Sequence, residues 1–554
     1  MTLFWLALPL LQQHDSESTL RSARGAQAAF ESFRRDHLPE SDTYSGHCDR
    51  NVGRYCFWYG DQEPDSVPEP KPIQEARARL LVRLADAAAA LPGDDWIVGQ
   101  AVRYLVEARR PRDAVAQARA CRGTPWWCAA LSGFALHAAG EFALADSAFA
   151  AGLAEMPQAE RCRWIDISIL LDGDQRSRYD RLSCDERAAF DRRWWWLAAP
   201  LLSRAGNDRR TEHYARLTLA RLFRESHYVR DTPWGDDDQE LLMRFGPEVF
   251  YTRKPSSALA PSDPVITGHE RVPAFEFAPS ARAFDAPWRA EPADWDFARL
   301  HPPDMYAPAY ADRFAHLDAQ LATFRRGDSC LVVARYDAST DPTIGHQDAR
   351  AALALSDGEH APVVRERETH LDGPEVLKAT APCTPQIASV EIVSAKGRWV
   401  ARARRGIEPG TRERVSDLLI VDAADSLSTD FASILTRAGS LTRVPVDSRL
   451  GLFWETYGLP PDGEPVTISV RITAQTRAWL GRAAESIGLA SRRRGVGLQW
   501  DEVLRPPGPG APTPRLLTID LAGLGPGRYR VELSMNIGGG VPVTATREIE
   551  LVRP

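Results

Sequence analysis

Three groups of residues in this chain carry types and spacings that could do chemistry. Gly327-Asp328-Ser329 offers a serine nucleophile. Such a serine works when a strand delivers it to a helix and a histidine takes its proton. Here the apolar run Cys330–Tyr336 follows the serine, and no histidine occurs after His370, so the triplet reads as a turn. Asp231, Asp236, Asp237, Asp238 and Glu240 are dense enough in carboxylate to suggest Ca²⁺. They lack the central glycine of an EF-hand loop, and a solvated turn or helix cap is the expected role. His213 has no second histidine at a four-residue offset, so a surface or packing role is expected. Nucleophile elbow, zincin, phosphate-loop and dinucleotide-binding motifs are all missing from the sequence. No catalytic, cofactor-binding or metal-ligating residue is assigned, and no cofactor is expected. The paired carboxylates of a glycosidase are defined by separation in space, which keeps a hydrolase with an unfamiliar site as the alternative.

The cysteines form the next pattern. There are 8, at Cys48, Cys56, Cys121, Cys128, Cys162, Cys184, Cys330 and Cys383, and none has zinc-type or redox-type spacing. Sequence neighbours group them as 48/56, 121/128, 162/184 and 330/383, although 8 cysteines allow about 105 connectivities and buried thiols are the alternative. Oxidation of at least Cys48 with Cys56 is expected. Leu3–Leu11 (LFWLALPLL) has the length of a signal-peptide apolar core and is far short of a membrane span. No Lys or Arg precedes Arg21, and no clean small-x-small cleavage site follows. A signal peptide over residues 1–13 is the expectation, with a buried helix start as the alternative. The expectation is export to the periplasm, envelope or medium, with no transmembrane helix in the mature chain.

The bulk properties fit these readings. The chain has 554 residues, 44% hydrophobic and 26% charged, which is globular composition for roughly three or four domains. A net charge of −7 speaks against a nucleic-acid partner. Lysine occurs only at Lys71, Lys254, Lys378 and Lys396, and the basic run Arg492–Arg494 reads as a solvated loop.

The elements that must carry these residues change character at mid-chain. Residues 14–71 hold a short helical pattern (Ala23 to Phe33), the first cysteine pair and a Pro- and acid-rich linker. Residues 72–160 show apolar residues at helical spacing, with helices over Gln74–Leu91, Trp96–Arg109 and Asp113–Cys121. Trp126–Pro157 then places small residues at Gly133 and Ala145, a turn at Gly140, Phe149 on a second helix and Pro157 at its end. This segment resembles a tetratricopeptide repeat, in which Phe149 would fill the space between two antiparallel helices. Such hairpins often line a groove for a partner peptide; the alternative is pure helical packing, with a short repeat-like segment set against the next module.

Residues 161–255 are read as helical. Of Trp194, Trp195 and Trp196, spaced 100° apart, two are expected in the core and the third at a surface. Asn207-Asp208 supplies an N-cap for the helix through Phe223. This block resembles the GWxTD domain, a bacterial domain often carried by exported proteins. Trp195 and Pro200 match its aromatic segment and Asn207-Asp208 its Asn-Glu pair. Trp234, Asp237, Gly246 and Pro247 match the remaining motif positions. Ala198 and Ala199 replace the expected Arg-Asp, and Pro233 and Asp236 replace glycine and threonine. The resemblance implies architecture and export; the family's own activity is not established.

Residues 256–325 read as a Pro- and aromatic-rich connector ending in a short helix to Phe324. From Gly327 the period becomes 2, with turns at Asp357-Gly358 and Lys396-Gly397 and clean alternation at Val466–Ile472 and Tyr529–Met535. Two β-sandwiches are expected, over 326–412 and 413–554, with a helical insert at Thr476–Ser491. Leu521-x-x-Leu524-x-Pro526-Gly527-x-Tyr529 resembles the loop before a corner tyrosine in bacterial immunoglobulin-like domains. The expected fold class is therefore multi-domain, all-α followed by all-β. The expected function is a non-catalytic interaction or scaffold protein of the envelope with a protein partner. The alternatives are a hydrolase, or carbohydrate binding through exposed tryptophans such as Trp454 or Trp500.

Overall fold

The computed structural model describes residues 7–40, 48–59, 67–171, 173–254, 265–297, 299–339, 341–394, 396, 398–408, 414–423, 429–439, 443–475 and 495–553, with backbone alone for 7–14. The start of the apolar leader, the basic run at 492–494 and the insert at 476–491 lie outside the described residues. The chain divides into two compact units, residues 1–281 with 295–312, and residues 282–294 with 313–554.

The first unit is mainly helical. Its elements are α1 (Ala7–Asp36), β1 (Arg50–Val52), β2 (Tyr55–Phe57), α2 (Lys71–Ala90), α3 (Asp95–Glu107), α4 (Pro111–Arg119), α5 (Pro125–Ala138), α6 (Phe142–Glu155), α7 (Gln158–Trp164), α8 (Gly173–Tyr179), α9 (Cys184–Ala198), α10 (Asp208–Arg224), α11 (Asp236–Phe245), β3 (Glu248–Lys254) and β4 (Val265–Glu270). Three of these differ from expectation. The helix read at Ala23–Phe33 is part of the longer α1, Cys48–Phe57 forms a small hairpin, and β3 pairs antiparallel with β4 where helix and connector were expected.

The α5–α6 hairpin shows why its small residues matter. A Cβ on Gly133 would stand 2.7 Å from the Phe149 ring, so only glycine lets that ring lie on α5. Ala145 and Phe149 are buried beside it. The face that α3 and α5 would offer to a partner is covered by α10. Gln100 Nε2 donates to Leu222 O (3.0 Å) and Trp96 Nε1 to Glu225 O (2.8 Å). Arg221 lies over the Trp127 ring at 4.1 Å. That face of α3 and α5 is thus occupied by a helix of the same chain. Disulfides link Cys48 to Cys56, Cys121 to Cys128 and Cys162 to Cys184.

The second unit is two β-sandwiches. Its elements are α12 (Ala281–Asp285, of which Ala281 closes the first unit), β5 (Arg313–His316), β6 (Ala319–Arg326), β7 (Ser329–Tyr336), β8 (Asp348–Ser356), β9 (Val363–His370), β10 (Glu375–Pro382), β11 (Gln386–Ser394), β12 (Trp399–Ile407), β13 (Leu419–Asp422), α13 (Phe431–Arg437), β14 (Arg443–Pro445), β15 (Arg449–Thr456), β16 (Glu464–Ala474), β17 (Val496–Leu504), β18 (Thr513–Asp520), β19 (Gly527–Ile537) and β20 (Val543–Val552). The first sandwich packs sheet β10-β7-β6 on β5-β12-β11-β8-β9, and the second packs β13-β15-β18 on β14-β20-β19-β16-β17. The first begins at Arg313 rather than at residue 326, and the helix expected to reach Phe324 is strand β6.

The reason is burial on both faces. Leu321 and Ala334 point into the first core, while Ala322, Phe324 and Val333 join Leu419, Phe453, Ile434 and Leu435 in a third core between the sandwiches. Polar contacts fasten that junction. Gln320 Nε2 donates to Gly439 O (2.7 Å), Ile420 N donates to Gln320 Oε1 (2.6 Å), and Arg547 Nη2 donates to both Leu321 O (2.7 Å) and Leu418 O (2.6 Å). Alternation places Val466, Ile468, Val470 and Ile472 inward as the sequence suggests. Tyr529 is fully buried, and its hydroxyl donates to Gly525 O at 2.8 Å, the geometry of a tyrosine corner. Cys330 is bonded to Cys383 at the end of the β7–β10 pair.

Candidate functional site

The motif residues of the first unit lie in two clusters along α10. At its N-terminus, Asn207 caps the helix by accepting from Arg210 N (3.0 Å), and its Nδ2 donates to Trp195 O at 2.6 Å. Two motif segments are thereby joined. Asp208 is fully buried and accepts from Tyr306 (3.1 Å) and Tyr310 (2.9 Å), and burial raises its pKa against those hydrogen bonds. Trp194 and Trp195 are buried, Trp196 is half-buried, and Pro200 is buried where α9 ends.

α10 carries a buried polar ridge below this point. Arg209 pairs with Asp304 at 2.6 Å with both side chains enclosed. Arg216 donates to Glu212 (2.9 Å), Met243 O (2.9 Å) and Met305 O (2.8 Å). Burial pushes the Glu212 carboxyl up, yet Arg216 and His137 hold it well below the usual range. His213 sits 5.1 Å from the Trp195 ring, and burial with Arg209 and Arg216 nearby drives its pKa well below the ordinary value. Of the surface and packing roles that the sequence leaves open, His213 takes the packing one.

The second cluster forms around α11. Trp234 stacks on Phe223 with centroids 5.0 Å apart. Gly246 ends the helix with φ of 97° beside Arg216, and Pro247 follows it, half-buried. Asp238 accepts from Gly235 N (2.8 Å), which caps α11. The β1–β2 hairpin clasps these acids. Arg54 donates through Nε and Nη2 to the two oxygens of Asp237 (2.6 and 2.8 Å) and also reaches Asp238 (2.6 Å). Tyr55 donates to Asp238 at 2.8 Å. The hairpin approaches so closely that a Cβ on Gly53, which has φ of 54°, would fall 2.3 Å from Asp237 Cβ. Phe57 stacks on Phe245 with centroids 3.6 Å apart.

A small crevice of about 10 Å³, room for about one water molecule, lies here, lined by Phe223, Tyr228, Arg230, Trp234, Asp238 and Glu248 among others. Arg230 and Tyr228 both engage Glu248. Its charges are therefore neutralised by one another, and Asp237 and Asp238 act as cap and clasp, as the turn-or-cap reading expects. Sequence reasoning missed Arg54, Tyr55, Arg230 and Asp304, whose partners lie far away in sequence; the Pro- and aromatic-rich run at 301–310 was the only visible hint. Gly327-Asp328 is the tight turn of the β6–β7 hairpin, with Arg326 opposite Ser329.

The Arg54 clasp has a testable pH signature. Arg54 holds the Asp237 carboxyl well below its usual range, chiefly through the side-chain hydrogen bond. A depressed carboxyl contributes stability that is present above its unfolded pKa and lost as pH falls toward the folded one. Arg54→Ala should therefore cost about 1 kcal/mol at pH 7, a modest value because solvent screens the half-exposed guanidinium. Urea midpoints measured against pH should show that loss shrinking below about pH 4. An equal loss at pH 2.5 and pH 7 would count against the clasp.

Comparison with family profiles finds no match, and comparison with curated proteins finds no similar sequence. Among solved structures, red sea bream transglutaminase is similar at 9% identity and a TM-score of 0.15, over 44% of this chain and 32% of that one. Escherichia coli alpha-2-macroglobulin activated by porcine elastase is similar at 10% identity and a TM-score of 0.15, over 45% of this chain and 24% of that one. The chain spans about a third and about a quarter of the length of these two proteins.

Proposed function

We propose that this chain is an exported interaction or scaffold protein of the cell envelope, non-catalytic, with a GWxTD-type module in its helical unit. The observation that carries the reading is how its motif side chains are used. Asn207 is spent on the Trp195 carbonyl, Asp208 on two tyrosines and Asp237 on Arg54, so each polar motif residue fastens one element to another. Pairing of all described cysteines within local segments supports an oxidising compartment. Among the described residues, no helix is long and apolar enough to cross a membrane.

Coverage of α3 and α5 by α10 moves the partner surface away from the repeat-like groove, and the sandwiches serve as spacers or a second adhesive surface. Trp454 is 1% exposed within the second sandwich, so it offers no platform for a sugar ring. Affinity capture of the mature protein from its own envelope tests the proposal. Recovery of a defined stoichiometric partner is expected; no partner, together with turnover of a hydrolase substrate, would reverse it.

A further inference from the structure

We propose that a second copy of this chain pairs at β17, antiparallel and strand to strand, joining the five-stranded sheets of two second sandwiches into one. β17 is an edge of that sheet, and among the described residues it is paired only with β16. Its far side therefore offers a row of backbone N–H and C=O groups to another strand. Other edges are guarded against such pairing. β14 is three residues long, and β9 carries Arg365, Glu366, Arg367 and Glu368 in succession. β17 runs for nine residues with no lysine, arginine or proline, and it exposes Leu498 (41%) and Val503 (56%).

The two faces of β17 select the second copy and set the register. Pairing with β16 places Leu498 beside buried Val470 and Trp500 beside buried Ile468, on the core side. Gly497 and Asp501 stand on the outer side, beside Arg471 and Thr467. A two-fold axis between identical antiparallel strands gives each residue a mate on its own face. With Gln499 on the axis, Leu498 of each copy meets Trp500 of the other and covers the apolar surface that the sandwich leaves open. Gly497 then faces Asp501 of the second copy. A Cβ on Gly497 would meet nothing within 4 Å, so the space above it is open. Arg471 is exposed on the far side of that glycine, two strand spacings or about 10 Å from the second copy's Asp501 by Cα, within the combined reach of the two side chains. The axis repeats this opposite-charge contact, and Glu502 falls against Val496 of the second copy. Neighbouring registers are worse: an axis at Trp500 sets Leu498 against Glu502, and one at Asp501 sets two carboxylates together.

Sedimentation equilibrium of the full, oxidised chain across the micromolar range tests the pairing. A reversible dimer is expected. Arg471→Asp should weaken it about tenfold by setting carboxylate against carboxylate, and Leu498→Lys should leave the chain monomeric. Leu498, Arg471 and Asp501 are all exposed, so the variants should keep the parent's circular dichroism. The double exchange Arg471→Asp with Asp501→Arg should restore the parent's affinity, which a general structural defect would not allow. A parent chain that stays monomeric, a dimer that neither single change weakens, or a double exchange that restores nothing would overturn the proposal.

Discussion

Arg103→Ala should destabilise the helical unit by about 3–5 kcal/mol, a loss on the scale of removing one partner from a buried ion pair. Arg103 on α3 is 1% exposed. It donates to Glu31 on α1 (3.0 Å), to Glu107 (2.8 Å) and Gln100 (3.2 Å) on its own helix, and to Ser226 (3.1 Å) after α10. Its guanidinium also lies 4.4 Å from the Phe223 ring centroid. The side chain therefore joins three helices, and its removal strips the enclosed Glu31 carboxylate of its closest cation, leaving Arg34 at 3.7 Å and the Tyr104 hydroxyl. Arg103→Met should recover part of the packing but not the charge balance. Chemical denaturation followed by tryptophan fluorescence reads the effect. A loss below about 1 kcal/mol would mean that the network is hydrated rather than enclosed.

Asp191→Asn should have the opposite sign at alkaline pH. Both Asp191 oxygens are buried without a hydrogen-bond partner, and burial pushes the carboxyl up to about 8, with Asp166 adding to the shift and Tyr179 and Arg187 opposing it. The Tyr179 hydroxyl is already engaged by Ile165 O and Ile167 N. An acid with a raised folded pKa binds more protons folded than unfolded between the two values. Its contribution to stability thus falls as pH rises from about 4 to about 8. The asparagine variant loses that slope. At pH 9 it should exceed the parent by about 1–3 kcal/mol, and near pH 4.5 the two should nearly coincide. Identical pH profiles for the two proteins would contradict an enclosed carboxyl.

What could be read from the sequence depended on whether a residue's environment was local. Gly133, Ala145 and Phe149 mark their hairpin because the contact that selects them lies within one pair of helices. Val466–Ile472 and Tyr529–Met535 mark strands because one face meets a core and the other meets water. β6 hid itself: buried on both faces, it replaces alternation with apolar residues at 317, 321 and 324, a helical spacing. That the segment packs on the next module could be expected, but the contacts of α10 with Trp96 and Gln100 could not, since they span more than a hundred residues. At the motif site the carboxylates were visible and their partners were not. Asp237 and Asp238 read alike as cap or calcium ligands until Arg54, 183 residues away from Asp237, is placed on them. The role of an acidic cluster is set by the cation it meets, and spacing does not report that.

The central claim is an exported chain braced by disulfides within its own modules. Peptide mapping by mass spectrometry of the non-reduced protein, purified from its native compartment, tests it most directly. The account predicts four linked pairs, Cys48–Cys56, Cys121–Cys128, Cys162–Cys184 and Cys330–Cys383, with no free thiol. Eight free thiols would contradict both the bracing and the export it implies.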